Sequence, residues 1–310
     1  MKAIYIDQPG GPEALKYGDM PQPDGDVLVK VAVSGVNFID TYHRSGLYKI
    51  PLPAILGSEG AGTVVKTGKR VAWAMPRGSY AEYAAVPESM LVHLPDNVSF
   101  EDGAAAMLQG MTAHYLAHST YPLKKGDTAL IHAAAGGTGL LLVQIAKLLG
   151  ARVIGTAGTE AKAQLAREAG ADEMIVYTAQ DFVAETRKWT DGKGVDVVYD
   201  SVGRDTLLKS FDCLRPRGMA VSFGQSSGAV PAFEPLLLSQ KGSLFFTRPA
   251  LPQYIANREE LEWRAADIFR WISMKQLHLR VQTPYALKDV AQAHRDLEGR
   301  KTTGKLIVVI

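Results

Sequence analysis

The chain has 310 residues, 46% hydrophobic and 21% charged, with 34 Lys+Arg against 32 Asp+Glu for a formal net charge of +2. This composition excludes a disordered tail, a collagen-like repeat and a coiled coil, and the even charge leaves no broad electrostatic footprint for nucleic acid or an acidic membrane. A single cysteine, Cys213, excludes an intrachain disulfide framework and a cysteine-rich zinc site, and suits a reducing, cytoplasmic setting.

At roughly 100–200 residues per domain, the length predicts two domains. The N-terminal stretch MKAIYIDQPGG begins a strand-like alternation and lacks the apolar core of an export signal. Short β-type runs follow at Lys2–Ile6, Val27–Val33, Gly62–Val65 and Tyr80–Val86, punctuated by Gly10-Gly11-Pro12 and Pro21–Gly25. This predicts a β-rich domain with irregular loops.

From about residue 126 apolar runs alternate with helix-length segments. The runs are Thr128–His132, Arg152–Thr156, Glu173–Tyr177, Val195–Asp200, Met219–Phe223 and Ser243–Thr247. The helical segments are Gly137–Leu149, Glu160–Ala169, Gln180–Thr190, Arg204–Leu214 and Phe233–Gln240, several closed by glycines at 150, 170, 218 and 242. Such alternation predicts a parallel sheet covered on both faces and, with right-handed crossovers, a doubly wound domain. The apolar stretch Leu140–Leu149 is interrupted by Gln144 and Lys147 and falls short of the roughly 20 residues that span a bilayer. After Arg248, Glu259–Met274 reads as a helix with Leu261, Ala265, Ile268, Phe269 and Ile272 on one face, and Lys305–Ile310 as a final strand. The expected fold is α/β. A β-rich domain takes residues 1–109 and 247–310, and a doubly wound domain takes 110–246.

The sharpest local signal is the strand Thr128–His132 running into Ala133-Ala134-Ala135-Gly136-Gly137-Thr138-Gly139 and a helix. The spacing is A-x-x-G-x-x-G rather than G-x-G-x-x-G. Small residues still let backbone approach a pyrophosphate, and the helix N-terminus offers free N–H groups and a positive dipole end. A tight turn without ligand is the plainer alternative. About 20 residues beyond the first glycine, where an acidic residue would hold a ribose 2′-hydroxyl, stands Thr156 in Gly155-Thr156-Ala157-Gly158. The missing carboxylate, with Lys162 nearby, favours a 2′-phosphate and hence NADPH, although Lys162 also reads as a solvated helix residue.

Two motifs read as decoys. His114 and His118 share i, i+4 spacing but lack the glutamate of a zinc protease helix. Gly224-Gln225-Ser226-Ser227-Gly228 matches a hydrolase nucleophile elbow, but Ala229-Val230-Pro231-Ala232 stands where the helix should begin.

Taken together the chain resembles the zinc-free quinone oxidoreductase branch, which includes zeta-crystallin, of the medium-chain dehydrogenase/reductase superfamily. The resemblance spans nearly the whole chain. It rests on Val36–Tyr48, Gly57-Ser58-Glu59-Gly60-Ala61-Gly62, Gly78–Tyr83, His132–Gly139, Val198–Gly203, Val221–Gly224 and Gln240–Pro249. Zinc-dependent relatives carry a cysteine near Asn37 and a histidine at Ser58. Thr138 replaces a usual valine, and the Thr63–Arg70 loop is short.

The resemblance implies a GroES-like catalytic domain, a Rossmann domain binding NADPH and a cleft between them. It implies a homodimer joined through Rossmann edge strands near Ser243–Thr247. Asn37, Asp40 and Tyr42 would flank nicotinamide and substrate, with Tyr48 at the substrate mouth. Gly136, Gly137, Thr138 and Gly139 would hold the pyrophosphate, and Thr112 and Ala135 would also contact the cofactor. Thr156, Gly158, Lys162, Tyr177 and Arg300 would face the adenosine ribose and its phosphate, although Tyr177 and Arg300 also read as a strand-end core residue and a solvated turn residue. Ser201, Phe223, Gly224, Gln225, Phe246, Thr247 and Arg248 would line the cofactor.

The implied activity is metal-free reduction of a small-molecule quinone, with hydrogen bonds from Tyr42 or Tyr48 stabilising the developing oxyanion. Reduction of an activated C=C bond in an enone is the alternative chemistry. A non-catalytic, NADPH-binding structural or RNA-binding role is the alternative class, and the charge balance gives it no support.

Overall fold

In the computed structural model, which describes residues 1–299 and 302–310, the N-terminal alternation becomes eight short strands. They are β1 (Lys2–Ile6), β2 (Lys16–Asp19), β3 (Val27–Val36), β4 (Ala54–Ile55), β5 (Glu59–Val64), β6 (Arg70–Ala74), β7 (Tyr83–Val86) and β8 (Val92–His93). Helix α1 (Phe38–Ser45) follows β3, and α2 (Phe100–Tyr115) follows β8.

The regular alternation then runs β9 (Thr128–Ile131), α3 (Gly137–Leu148), β10 (Arg152–Ala157), α4 (Glu160–Glu168), β11 (Glu173–Val176), α5 (Phe182–Trp189) and β12 (Val195–Asp200). It continues through α6 (Leu207–Ser210), β13 (Leu214–Ser222), α7 (Leu236–Gln240), β14 (Phe245–Thr247) and α8 (Leu251–Tyr254). Helix α9 (Arg258–Ser273), β15 (Tyr285–Ala286), α10 (Val290–Glu298) and β16 (Leu306–Val309) complete the chain. None of the described helices is long and apolar enough to cross a membrane.

The chain divides into two compact units, one of Met1–Met111 with Tyr254–Ile310, the other of Thr112–Gln253. The stretch from Thr247 to Gln253 keeps company with the second unit, because β14 carries Thr247 into register with Val221 of β13.

The first unit is GroES-like. Its larger sheet orders β15-β16-β3-β5-β6-β8, with β7 also on β3, and its smaller one β2-β1-β4. Strand β3 is the spine: Val33–Val36 pair with β16, Val29–Ser34 with β5, and Val27–Lys30 with β7. Two cores flank it. Val29, Val31, Trp73 and Val86 form one, and Ile4, Ile6, Leu56, Tyr80, Val290 and Leu306 the other. A register shift between Val31 and Val33 bends the spine. Gly62 lies opposite, where a Cβ would stand 2.1 Å from the Lys30 carbonyl oxygen.

The second unit is a Rossmann domain. Its strand order is β11-β10-β9-β12-β13-β14, with every pairing parallel. The order reverses at β9/β12, which puts a ligand crevice at the carboxyl ends of those strands. Val195, Val197, Val198 and Tyr199 of β12 are all buried, as a sheet covered on both faces requires. Helix termini are locally determined: Asp181 accepts from Val183 N–H at α5, and Gly150 (φ 79°) follows α3. The helix expected over 204–214 shortens to α6, because Leu214 already pairs with Val195 and Pro216 bars further helix. No helix follows Ser226 until α7, so the elbow geometry of a hydrolase is absent from that loop.

Gly62→Ala should destabilise the first unit by about 1–3 kcal/mol, since the clashing atom is backbone and cannot swing away. A fall in the urea midpoint without a change in slope checks this; an unchanged midpoint would show that β3 and β5 can part to admit the methyl group.

Candidate active site

In the first unit the chemistry gathers around α1. Asp40, at the third helical position, accepts the backbone N–H of the cap residue Asn37 at 3.0 Å. The Asn37 side chain is fully buried and turned inward. Its Nδ2 donates to Glu59 Oε2 at 2.8 Å, and its Oδ1 accepts from Lys305 Nζ at 2.7 Å and more distantly from Gln109 Nε2 at 3.4 Å. Lys305 also bonds Glu59 Oε2 at 2.5 Å, and Glu59 Oε1 accepts the Leu108 N–H at 2.6 Å. Both charged residues are nearly sealed from water, Glu59 at 0% and Lys305 at 3% exposure. Such a pair is tolerable because each charge is hydrogen-bonded, Lys305 to Asn37 and Glu59, and Glu59 to Asn37 and the Leu108 N–H.

Asp40 heads a second buried network. Ser58 Oγ donates to its Oδ1 at 2.7 Å, and Tyr80 OH to its Oδ2 at 3.1 Å. Tyr80 lies 3.3 Å from His294 Nε2, whose Nδ1 is 3.0 Å from Arg44 Nη1. Arg44 also grips Glu298 at 2.9 and 2.7 Å. Arginine only donates, so His294 Nδ1 must accept and Nε2 must carry the proton. That imidazole stays neutral: burial, then the Arg44 charge, pushes its pKa down to about 3. The hydrogen bonds therefore run in one direction, from Arg44 through His294 and Tyr80 to Asp40. Burial nevertheless pushes the Asp40 carboxyl up to about 6, against the pull of its three donors and of Lys305.

Tyr42 and Tyr48 sit beyond this network. Their ring centroids are 5.3 Å apart in an edge arrangement, and Tyr48 N–H bonds the Tyr42 carbonyl at 3.1 Å. Tyr48 is 38% exposed. Ser58 is spent on Asp40, and Asn37 on Glu59 and Lys305. Among the described residues no three His, Cys, Asp or Glu side chains converge on a metal position.

In the second unit the Gly-rich turn lies at the carboxyl end of β9. Ala133 takes a left-handed φ of 51°, and its carbonyl accepts the Gly136 N–H at 2.9 Å. A Cβ at Gly139 would stand 2.3 Å from that carbonyl, so the helix can start here only without one. No side chain caps α3, which leaves the N–H groups of its first turn, at Gly137, Thr138 and Gly139, open to an anion. Thr112 and Ala135 are buried.

At the end of β10, Thr156 is buried. Its hydroxyl meets His132 Nδ1 at 3.0 Å, so it is an internal residue. Gly158 lies against Tyr177, whose hydroxyl would be 2.8 Å from an added Cβ. Tyr177 is 45% exposed just past β11, which removes the strand-end core reading. Lys162 stands in the first turn of α4, its N–H held by the Thr159 cap. Arg300 lies outside the described residues.

The loops after β12 and β13 are stitched together. Phe223 N–H bonds the Asp200 carbonyl at 2.8 Å, Ser226 N–H bonds that of Ser201 at 3.1 Å, and a Cβ at Gly224 would meet the Ser201 carbonyl at 2.6 Å. Ser201, Phe223, Gly224 and Gln225 thus lie with Ala133–Gly139 at one end of the sheet. Phe246 instead packs edge-on against Phe233 at 5.4 Å and Phe211 at 6.2 Å, a core position. Thr247 is half-buried and Arg248 exposed.

Glu59, Lys305, Tyr80, Arg44 and His294 carry no role in the sequence reading. One signal was available: a lone charge abutting an apolar run, as Lys305 before Leu306–Val309 and Glu59 opening β5.

A GroES-like unit with a Rossmann unit, and an uncapped helix behind a small-residue turn, define a two-domain dinucleotide-dependent reductase or dehydrogenase. A family profile described as alcohol dehydrogenase GroES-like domain matches residues 23–96, and one described as zinc-binding dehydrogenase matches residues 137–261. A quinone oxidoreductase of Pseudomonas aeruginosa is 46% identical, over 99% of both chains. A 2-haloacrylate reductase of Burkholderia sp. is 42% identical, over 99% of this chain and 98% of its own. The crystal structure of Escherichia coli quinone oxidoreductase complexed with NADPH superposes with a TM-score of 0.97 at 43% identity, covering 100% of each chain. The chain belongs to the quinone oxidoreductase branch of the medium-chain dehydrogenase/reductase superfamily.

The Asp40 carboxyl, raised in the folded state, makes a signed prediction. The folded protein holds this proton more tightly than the unfolded chain. The contribution is therefore complete below about pH 4 and lost as pH rises through about 6. Between those limits the stability of the wild type relative to Asp40→Asn should fall by on the order of 3 kcal/mol. Urea titrations of both proteins across this range check it; a difference that does not change with pH would place the Asp40 titration elsewhere.

Proposed function

We propose that the protein is an NADPH-dependent quinone reductase working without a metal. The observation that carries this reading is the pair of features at the carboxyl end of the Rossmann sheet. The first turn of α3 is uncapped behind Ala133–Gly139, and β10 ends at Thr156–Gly158 without a carboxylate. Small residues and free N–H groups fit a pyrophosphate. Lys162 and Tyr177, with Arg300, fit a 2′-phosphate.

When bound there, NADPH supplies the hydride; a quinone accepts it with one proton and leaves as the hydroquinone. The protein's part is placement and charge stabilisation. Asn37, its amide locked by Glu59 and Lys305, keeps the start of α1 fixed. Asp40 holds the same turn from inside through Ser58, Tyr80 and the Asn37 N–H. Tyr42 and Tyr48 present phenols to the acceptor oxygen that gains negative charge, the task a Lewis-acidic metal performs elsewhere. Reduction of an activated C=C bond uses the same groups, and the similarity to a 2-haloacrylate reductase favours it as the second reading.

We infer further that the protein is a cytoplasmic homodimer. Cys213 is buried and its thiol pushed up to about 12 by burial, the state of an inert, reduced cysteine. Among the described residues strand β14 pairs with β13 alone, and its Phe245 is 58% exposed, an apolar edge of the kind proteins cover. Phe245→Asp should convert the dimer to a monomer in sedimentation velocity; a wild type that sediments as a monomer would overturn the assignment.

The function is tested by steady-state oxidation of NADPH with parallel series of quinones and enones. Turnover with quinones supports the first reading, turnover with enones alone the second, and turnover with neither overturns both. Lys162→Ala should weaken NADPH binding about ten- to a hundredfold, the loss of one hydrogen bond to a charged group, and leave NADH binding nearly unchanged. Equal weakening for both cofactors would show that Lys162 supports the fold rather than reading the phosphate.

A further inference from the structure

Arg77 lies in the short loop between β6 and β7, and its charge is unanswered. Its Nη1 is sealed from solvent without a hydrogen-bond partner, and the residue joins no ion pair among those described. The side chain is half-buried. A guanidinium nitrogen withdrawn from water without an acceptor is unfavourable, and folded proteins retain such groups where something else supplies the acceptor.

The one titrating group that feels the Arg77 charge among those described offers it no acceptor. His43 on α1 also has a buried Nδ1 with no partner. Burial first, and then the Arg77 charge, holds its imidazole down at about 4. Two buried nitrogens, coupled through the Arg77 charge, thus have no hydrogen-bond partner, although Asp40 and Glu59 lie in the same unit. Those carboxylates are committed elsewhere, to Ser58, Tyr80 and Lys305.

The place is next to the groups assigned to the acceptor. The His43 ring lies 6.2 Å from that of Tyr48, which is 5.3 Å from that of Tyr42. The loop bearing Arg77 is bonded to the Gly57–Ser58 segment: Met75 N–H meets the Ser58 carbonyl at 2.7 Å, and Gly78 N–H the Gly57 carbonyl at 2.9 Å. Met75 holds a left-handed φ of 85°, a strained geometry for methionine that these bonds enforce. Beside Arg77, a Cβ added to Gly78 would meet nothing within 4 Å, so the loop borders open space.

We propose that Arg77, with His43 beside it, recognises an anionic group on the electron acceptor, so that the preferred acceptor is a quinone or enone bearing a carboxylate or sulfonate. A guanidinium takes such a group with two parallel hydrogen bonds, and the neutral imidazole adds one N–H donor. The site is a specificity determinant: it selects which acceptor reaches Tyr42 and Tyr48. It rests on the reading of the protein as an NADPH-dependent reductase.

The test compares 1,2-naphthoquinone with 1,2-naphthoquinone-4-sulfonate. The readout is the ratio of kcat/KM for the sulfonate to that for the neutral quinone, which cancels general damage to turnover. Arg77→Met should lower this ratio about ten- to a hundredfold, the worth of a hydrogen bond to a charged group. Arg77→Lys should restore part of it, and Lys66→Met, removing an exposed cation, should leave it at the wild-type value.

A binding arm stands apart from turnover: 2-naphthalenesulfonate titrated calorimetrically into wild type and Arg77→Met. Weaker binding to the variant supports the proposal. An unchanged ratio and unchanged sulfonate binding would overturn it. So would a loss of NADPH affinity in Arg77→Met as large as the loss for the sulfonate, which would assign Arg77 to a cofactor phosphate. If the wild type turns over neither quinone, the reductase reading fails, while the calorimetric comparison still decides whether Arg77 binds anions.

Discussion

The first unit depends on one buried ion pair. Lys305 opens the last strand and Glu59 opens β5, and the two segments meet only because the chain returns after the whole Rossmann domain. Their contact joins the C-terminal segment to β5, while Asn37 bridges both partners and thereby sets the start of α1. Removing one member of such a pair leaves an uncompensated charge in the core, a loss of roughly 3–5 kcal/mol. Replacing both by apolar residues would relieve the desolvation yet release Asn37. The pair is therefore explained better by what it positions than by what it stabilises.

The second network repeats the arrangement through α10. Glu298 and His294 on that helix hold Arg44 on α1, and Tyr80 passes the connection on to Asp40. Helix α1 is thus held at its first turn by Asp40 and at its last by Arg44. Tyr42 lies between these two anchors, and Tyr48 follows directly. Arg44 and His294 are buried, so the part of the second anchor that runs through His294 is shielded from salt, while Glu298 lies at the surface. The short helix has little intrinsic stability at this length, so its rigidity comes from these contacts.

Much of the Rossmann unit was legible in the sequence because a strand buried on both faces shows as an unbroken apolar run. Ala129–Ile131 of β9 is such a run, and β12, Val195–Asp200, is apolar apart from Asp196 and the closing Asp200. The start of β13 was not legible: Leu214 joins the sheet across a register shift opposite Val195–Val197, and a propensity reading continues the helix instead. In the first unit the site segment was recognisable from Asn37 to Tyr48, but the direction of each side chain was not. Asp40 has the position of a substrate-facing carboxylate, and only the fold shows it enclosed by Ser58, Tyr80 and the Asn37 N–H. The pairings of Asn37 with Lys305 and of Arg44 with Glu298 lie beyond a single sequence, which carries no register between segments so far apart.

The exchange of a metal position for polar residues has a consequence for where charge can be stabilised. A zinc ion would meet a developing oxyanion directly. Here the Lys305 ammonium is buried and already bonded to Glu59 and Asn37. Its charge is neutralised locally, and its protons point at the protein. Asp40 adds a carboxyl rather than a cation. On the proposed reading, direct stabilisation of the acceptor oxygen falls to neutral donors, the phenols of Tyr42 and Tyr48. Neutral donors stabilise an oxyanion less than a metal does, which suits acceptors whose reduced form is a weak base. A hydroquinone anion, its charge spread over an aromatic ring, needs less help than the alkoxide of a simple alcohol. On that reading, stabilisation by neutral donors suits quinones and conjugated acceptors.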